Sequence, residues 1–155
     1  MRTRGQAFGA LFVPVLILTA ACSASRASEF DQNRAKWSAA HIENYEFDFT
    51  PDCLCAWGPD LSFPRHVVVR RDVAVSVTDA AGQEIDDDSK AEMKYWSTMD
   101  DIFTWLGGAV RMDPGLYTVT YDPQYGFPAH IVVGEDPQLS DTAGDFVIGN
   151  FRVDK

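Results

Sequence analysis

Residues 45–50 read Tyr-Glu-Phe-Asp-Phe-Thr, a large aromatic at every second position with acidic or polar neighbours between. A strand puts successive side chains on opposite faces, so this segment has one buried face and one wet face. The same period recurs along the chain. Arg65–Arg70 (RHVVVR) and Val73–Thr78 (VAVSVT) read as a hairpin turning at Arg71-Asp72, without the glycine that would pin its register. Leu116–Tyr121 (LYTVTY), Ala129–Val133 (AHIVV) and Asp145–Phe151 (DFVIGNF) supply three more strands. Two helical patterns interleave with them. The first spans Asp31–Asn44, capped by Asp31, with Ala35, Trp37, Ala39, Ala40, His41 and Ile42 on one face. The second starts near Ser97, where Ser97-Thr98-Met99-Asp100 resembles a capping box. It carries Ile102, Phe103, Trp105 and Leu106 inward and stops at Gly107-Gly108. The intervening stretch Asp79–Lys90, with Gly82 and Asp86-Asp87-Asp88, reads as an exposed loop.

Two stretches resemble each other. Phe63-Pro64-Arg65-His66-Val67-Val68-Val69 parallels Phe127-Pro128-Ala129-His130-Ile131-Val132-Val133, and Tyr45–Pro51 parallels Tyr117–Pro123. The order helix, strand, strand, strand thus occurs twice, either as a duplicated unit or as a chance likeness of two amphipathic hairpins. Both readings imply an α+β fold: an antiparallel sheet of about six strands with two helices on one face.

The chain of 155 residues opens with Arg2 and Arg4, followed by the uncharged apolar run Ala10–Ala21. That run is too short to span a bilayer and ends in small residues, so residues 1–21 read as an export signal. Leu18-Thr19-Ala20-Ala21-Cys22 resembles a bacterial lipobox, which makes Cys22 the lipidated first residue of the mature chain. The alternative is an ordinary signal cleaved near Ala21, Ala24 or Ala27. Residues 22–30 are then a lipid-anchored tether and residues 31–155 one domain. The expected location is the cell envelope, on a membrane surface; Ser23 after the cysteine permits sorting to the outer membrane, facing the periplasm, where the host has one. A formal net charge of −10, which loss of the two arginines makes more negative, argues against a nucleic-acid partner. It also disfavours attraction to anionic lipid, so membrane contact falls to the acyl chains on Cys22.

Taken together, Trp37, Tyr45, Cys53-x-Cys55, the Val-rich hairpin, the helix start Thr98–Phe103 and Tyr121-Asp122-Pro123-Gln124-Tyr125-Gly126-Phe127-Pro128 resemble a known family. It is a family of small exported bacterial proteins, many of them lipoproteins, known only as a domain of unknown function. The resemblance covers roughly residues 33 to 152. Arg71-Asp72 departs from the Asp-Gly or Asn-Gly usual there. The resemblance implies a fold and a location, and no reaction.

In an exported chain Cys53 and Cys55 are expected to pair, because the compartment is oxidising and Cys22 is spent on lipid. Two residues of extended chain span at most ~7 Å, so the segment must kink for the bond to close. A structural disulfide, a redox-active pair and a metal clip all remain open, although Asp52 disfavours thiolate and no His or Lys stands nearby in sequence. His41, His66 and His130 lack zinc spacing, Asp86-Asp87-Asp88 lacks the calcium-loop pattern, and no G-x-S-x-G elbow occurs. No metal and no cofactor is expected. The Tyr121–Pro128 stretch reads as a turn, and its aromatics either cap the core or form a binding surface of Trp57, Tyr121, Asp122, Tyr125 and Phe127. The expectation is a non-catalytic, lipid-anchored envelope protein that binds a protein or another envelope component. The alternative is a thiol-disulfide redox protein using Cys53 and Cys55. Because the closed loop is so short, replacing both cysteines with Ser should lower global stability by only ~1–2 kcal/mol. Mass spectrometry of the unreduced chain should find no free thiol at Cys53 or Cys55; two free thiols or a bound metal there would overturn the structural pairing.

Overall fold

The computed structural model describes residues 18–53, 63–134 and 143–154. Its elements are α1 (Leu18–Ala40), β1 (Asn44–Cys53), β2 (Arg65–Arg70), β3 (Val73–Thr78), α2 (Asp87–Glu92), a 3-10 turn at Met93–Tyr95, α3 (Met99–Met112), β4 (Tyr117–Tyr121), β5 (Pro128–Val133) and β6 (Gly144–Val153). The six strands form one open antiparallel sheet in the order β3-β2-β1-β6-β5-β4. The α+β architecture and the strands expected from period two are all present.

One face of the sheet carries the core. Tyr45, Phe47 and Phe49 of β1, Val67 and Val69 of β2, Ile131 of β5, and Phe146 and Ile148 of β6 are buried beneath α1 and α3. From above, α1 contributes Phe30 and Trp37, and α3 contributes Met99, Ile102, Phe103 and Leu106. Trp37 meets Tyr45 edge-on at 5.4 Å, and Phe30 meets Phe103 at 5.9 Å. The Tyr45 hydroxyl accepts the Met99 N–H at 2.9 Å, which satisfies an otherwise orphaned donor in the first turn of α3. Burial, with Asp100, Asp72 and Asp101 assisting, holds the Tyr45 hydroxyl well above the usual tyrosine range, so it stays neutral.

The two meanders share one register. Tyr45↔Val69, Phe47↔Val67 and Asp48↔His66 in the first recur as Tyr117↔Val133, Val119↔Ile131 and Thr120↔His130 in the second. The first strand of one meander, β1, lies antiparallel beside the third strand of the other, β6, so the units stand side by side in the same strand order with their strands running in opposite directions.

Five local features differ from the sequence expectation. Helix α1 begins N-terminal of Asp31 and takes in residues 22–30, the expected tether, where Phe30 reaches the core. It ends at Ala40 rather than Asn44, with His41 in the left-handed region at φ 48°. The Asp79–Lys90 stretch contains the start of α2, because Asp86 caps it by accepting the Ser89 N–H at 2.7 Å. In α3 the capping residue is Thr98 rather than Ser97, exchanging bonds with Asp101 through its backbone N–H (3.1 Å) and its carboxylate (2.7 Å). Gly107-Gly108 does not stop α3, which continues to Met112. A Cβ on Gly107 would sit 2.8 Å from the Phe30 ring, so this glycine serves close helix approach and not termination. The hairpin turns at Arg71-Asp72 as expected, both residues at positive φ (50° and 61°). That strained geometry is held by Asn44 Oδ1 and the Glu43 carbonyl, which accept the two backbone N–H groups at 3.2 and 3.1 Å.

Phe47→Ala should cost ~3–5 kcal/mol in equilibrium denaturation, whereas Val147→Ala, on the face without helices, should cost less than ~1 kcal/mol. Equal losses would contradict the one-sided core.

Candidate functional site

The segment Tyr121–Pro128 joins β4 to β5 and lies against α1. Asp122 organises it: its Oδ1 accepts the N–H of Gln124 (2.9 Å) and Tyr125 (2.6 Å), its N–H donates to the Phe127 carbonyl, and its carbonyl accepts the Gly126 N–H. Gly126 adopts φ +82°, and a Cβ there would lie 2.7 Å from the Asn33 carbonyl oxygen of α1. The Lys36 ammonium donates to the Pro123 carbonyl. Phe127 is buried, 4.5 Å from Phe151 and 6.3 Å from Trp37. Tyr125 packs half-buried on Phe151 at 5.7 Å. Tyr121 is half-buried; burial first, then the nearby Glu29 and Asp31, hold its hydroxyl well above the usual range. These residues are therefore engaged in seating α1, and of the expected aromatic surface Tyr121 and Tyr125 are partly accessible. Trp57 and Cys55 lie outside the described residues. Cys53 ends β1, aligned with Gly144 of β6, and Cys22 falls within α1.

The opposite face of the sheet, which no helix among the described residues covers, carries the polar chemistry. His66 Nδ1 lies 2.8 Å from Asp48 Oδ1, and its Nε2 lies 3.7 Å from Glu46. Asn150 donates to the other Asp48 oxygen at 2.6 Å, and Arg152 pairs with Glu46 at 3.3 Å. On β5, His130 Nε2 stands 2.5 Å from Asp145 Oδ1. The equivalence of His66 and His130 is thus positional only: Thr120 stands where Asp48 does, so His130 turns to β6. Among the described residues no set of three or more His, Cys, Asp or Glu side chains converges as metal ligands would. The carboxylate–histidine network was not anticipated from the sequence. Its signal was the wet half of the period, since Glu46 and Asp48 alternate with Tyr45 and Phe47.

A model of a family of unknown function (DUF6174) matches residues 29–153. The chain belongs to that family. The DUF6174 match begins one residue before Phe30 and ends with β6, so it takes in the part of α1 that enters the core together with the whole sheet. Neither the curated proteins nor the solved structures give a significant match to the chain.

Asp48 has a carboxyl held below the ordinary aspartate range. Burial would raise it, but the hydrogen bonds from Asn150 and His66 and the charges of His66 and Arg152 outweigh that. A depressed carboxyl contributes stability above the unfolded value of about 4, and loses it as pH falls through the lower folded value. The stability gap between wild type and Asp48→Asn should therefore be largest near neutrality and shrink as pH falls below about 4, read by chemical denaturation across pH. A gap constant with pH would show that the network does not favour the charged form.

Proposed function

We propose that this DUF6174 chain is a non-catalytic, lipid-anchored protein of the cell envelope that binds a protein or another envelope component. The anchor reading is supported by the charged start, the apolar run and Leu18-Thr19-Ala20-Ala21-Cys22. One observation carries the proposal. Helix α1 runs unbroken from Leu18 to Ala40, with Phe30 and Trp37 buried in the core. A lipid on Cys22 would thus be attached to the same helix that seats the domain, with Phe30 only about 12 Å further along it. A rigid link of that length holds the domain close to the bilayer, where acyl chains supply the affinity and the acidic surface stays off anionic headgroups. In a host with an outer membrane, the domain faces the periplasm. The chemistry offered at the surface is that of docking: half-buried tyrosines at the 121–125 turn and paired charges on an uncovered sheet.

Cys22→Ser should move the protein from the membrane fraction to the soluble fraction; retention through detergent-free washes would overturn the anchor. Cross-linking of the lipidated chain in intact envelopes should yield a discrete adduct of higher mass. Its absence would remove the binding role.

A further inference from the structure

The two edges of the sheet are not equivalent. At β3 the chain covers the Val77–Thr78 end of its own edge: the Val77 carbonyl accepts the Ile85 N–H at 3.0 Å, the Val77 N–H donates to the Glu84 carboxylate at 3.3 Å, and Thr78 bridges to Glu84. At β4 it does not. Gly134 donates to the Leu116 carbonyl, so in the alternating antiparallel ladder Thr118 and Thr120 bond towards β5, while Tyr117 and Val119 point their backbone groups outward. The Tyr117 carbonyl confirms that phase, because it accepts from Arg26 at 3.0 Å from outside the sheet. The Tyr117 N–H and both backbone groups of Val119 have no partner among the described residues. Beside them runs a groove of about 80 Å³ lined by Arg26, Glu29, Val110, Tyr117, Val119 and Tyr121. The repeat sharpens the point. The corresponding edge of β1 is filled by β6, an antiparallel strand, and among the described residues β4 has no counterpart to it.

We infer that the open edge of β4 docks an extended, antiparallel segment of a partner protein that carries basic side chains. This rests on the partner-binding reading above and names the place and the chemistry. An added strand would pair with Val119 and the Tyr117 N–H, with alternate side chains entering the groove. Charge selects the occupant. Asp31 is paired with Arg111, but Glu29 and Asp113 flank the edge with no ion pair among the described residues. Arg26 is engaged with the Pro114 and Tyr117 carbonyls. A second copy would bring two such acidic edges together on chains of net charge −10, which disfavours self-pairing.

The test uses the full exported chain with a short probe peptide of alternating valine and lysine, and a valine–glutamate counterpart. The basic probe should slow amide exchange at Val119 by roughly tenfold or more, and the acidic probe should leave it unchanged. Val119→Pro removes an outward N–H without cutting the ladder to β5, so the slowing that the basic probe also gives the outward Tyr117 amide should be lost while the unfolding midpoint holds. Should that variant fail to fold, Glu29→Lys, which lies off the strand, should still weaken the basic probe severalfold. No protection, or equal protection by both probes, overturns the inference. Protection that rises with protein concentration in the absence of peptide assigns the edge to a second copy instead. In intact envelopes, a photo-cross-linking residue at Thr118 should capture the partner and one at Val68 should not. Capture from Val68 alone overturns the edge and leaves the binding role standing, whereas capture from neither removes both.

Discussion

The pairing of β1 with β6 is the constraint on which the rest of the structure depends. It runs from Tyr45↔Val153 to Cys53↔Gly144 and joins two three-stranded meanders that otherwise have no common floor. A three-stranded sheet with a single helix buries too little apolar surface to offset its chain entropy comfortably. With β6 beside β1, the two inner faces become one: Phe49 stacks on Phe146 at 6.3 Å and Tyr45 lies 5.6 Å from Phe151. The aromatic layer then continues to Trp96, which stacks on both Phe49 and Phe146 at 4.7 Å. The partners come from opposite ends of the domain, so this contact carries the largest loop-closure cost and its formation commits the chain to the native topology.

Helix α1 is the clamp laid over that seam, and two glycines make room for it. Gly107 lets the Phe30 ring lie against α3, and Gly126 lets the 122–127 turn approach the Asn33 carbonyl. Arg111 reinforces the first contact in three ways: it donates to the Gly107 carbonyl, pairs with Asp31 and sits 5.4 Å over Phe30. Trp37 ties the second to the sheet through Phe127 and Tyr45. The Tyr121–Pro128 motif is therefore best understood as the seat of a helix, and its most distinctive residues are occupied by intramolecular contacts.

That distinction explains what the sequence could and could not disclose. Period two is a local signal, so the strands around Phe47, Val67, Val119, Ile131 and Phe146 were readable, as were both main helices. Gly107 was misread because a glycine pair in a helical pattern has the same local appearance whether it ends the helix or admits a ring from another element. Phe30 was missed for the matching reason: it is one apolar residue at the end of a small, polar run, and only the crossing with α3 gives it a partner. Arg65 breaks the inner-face pattern of β2 in the same way; it is 2% exposed, with its guanidinium 5.4 Å over Phe63, and nothing in RHVVVR distinguishes it from a surface arginine. The His66–Asp48 pair required the register of β1 against β2, two strands separated by residues 54–64 in the sequence rather than by a two-residue turn that would fix their pairing.

The equivalent positions of the two meanders show how place in the sheet shapes composition. Tyr45, Phe47 and Phe49 lie on a central strand, covered by helices and flanked on both sides, and all three are fully buried. Their counterparts Tyr117, Val119 and Tyr121 sit on the outermost strand, where each is half-buried. On the uncovered face the counterpart of Asp48 is Thr120, so the carboxylate–histidine pairing of the centre gives way at the edge to a small β-branched side chain. An edge strand with short neutral residues outward and half-buried aromatics inward keeps its backbone accessible. Charged residues at those same positions would close it, and the register shift at Thr120/Tyr121 limits the open stretch to the part of β4 before it. The second meander thus meets the sheet edge in a strand, β4, whose outer side is unpaired among the described residues where that of β1 is filled by β6.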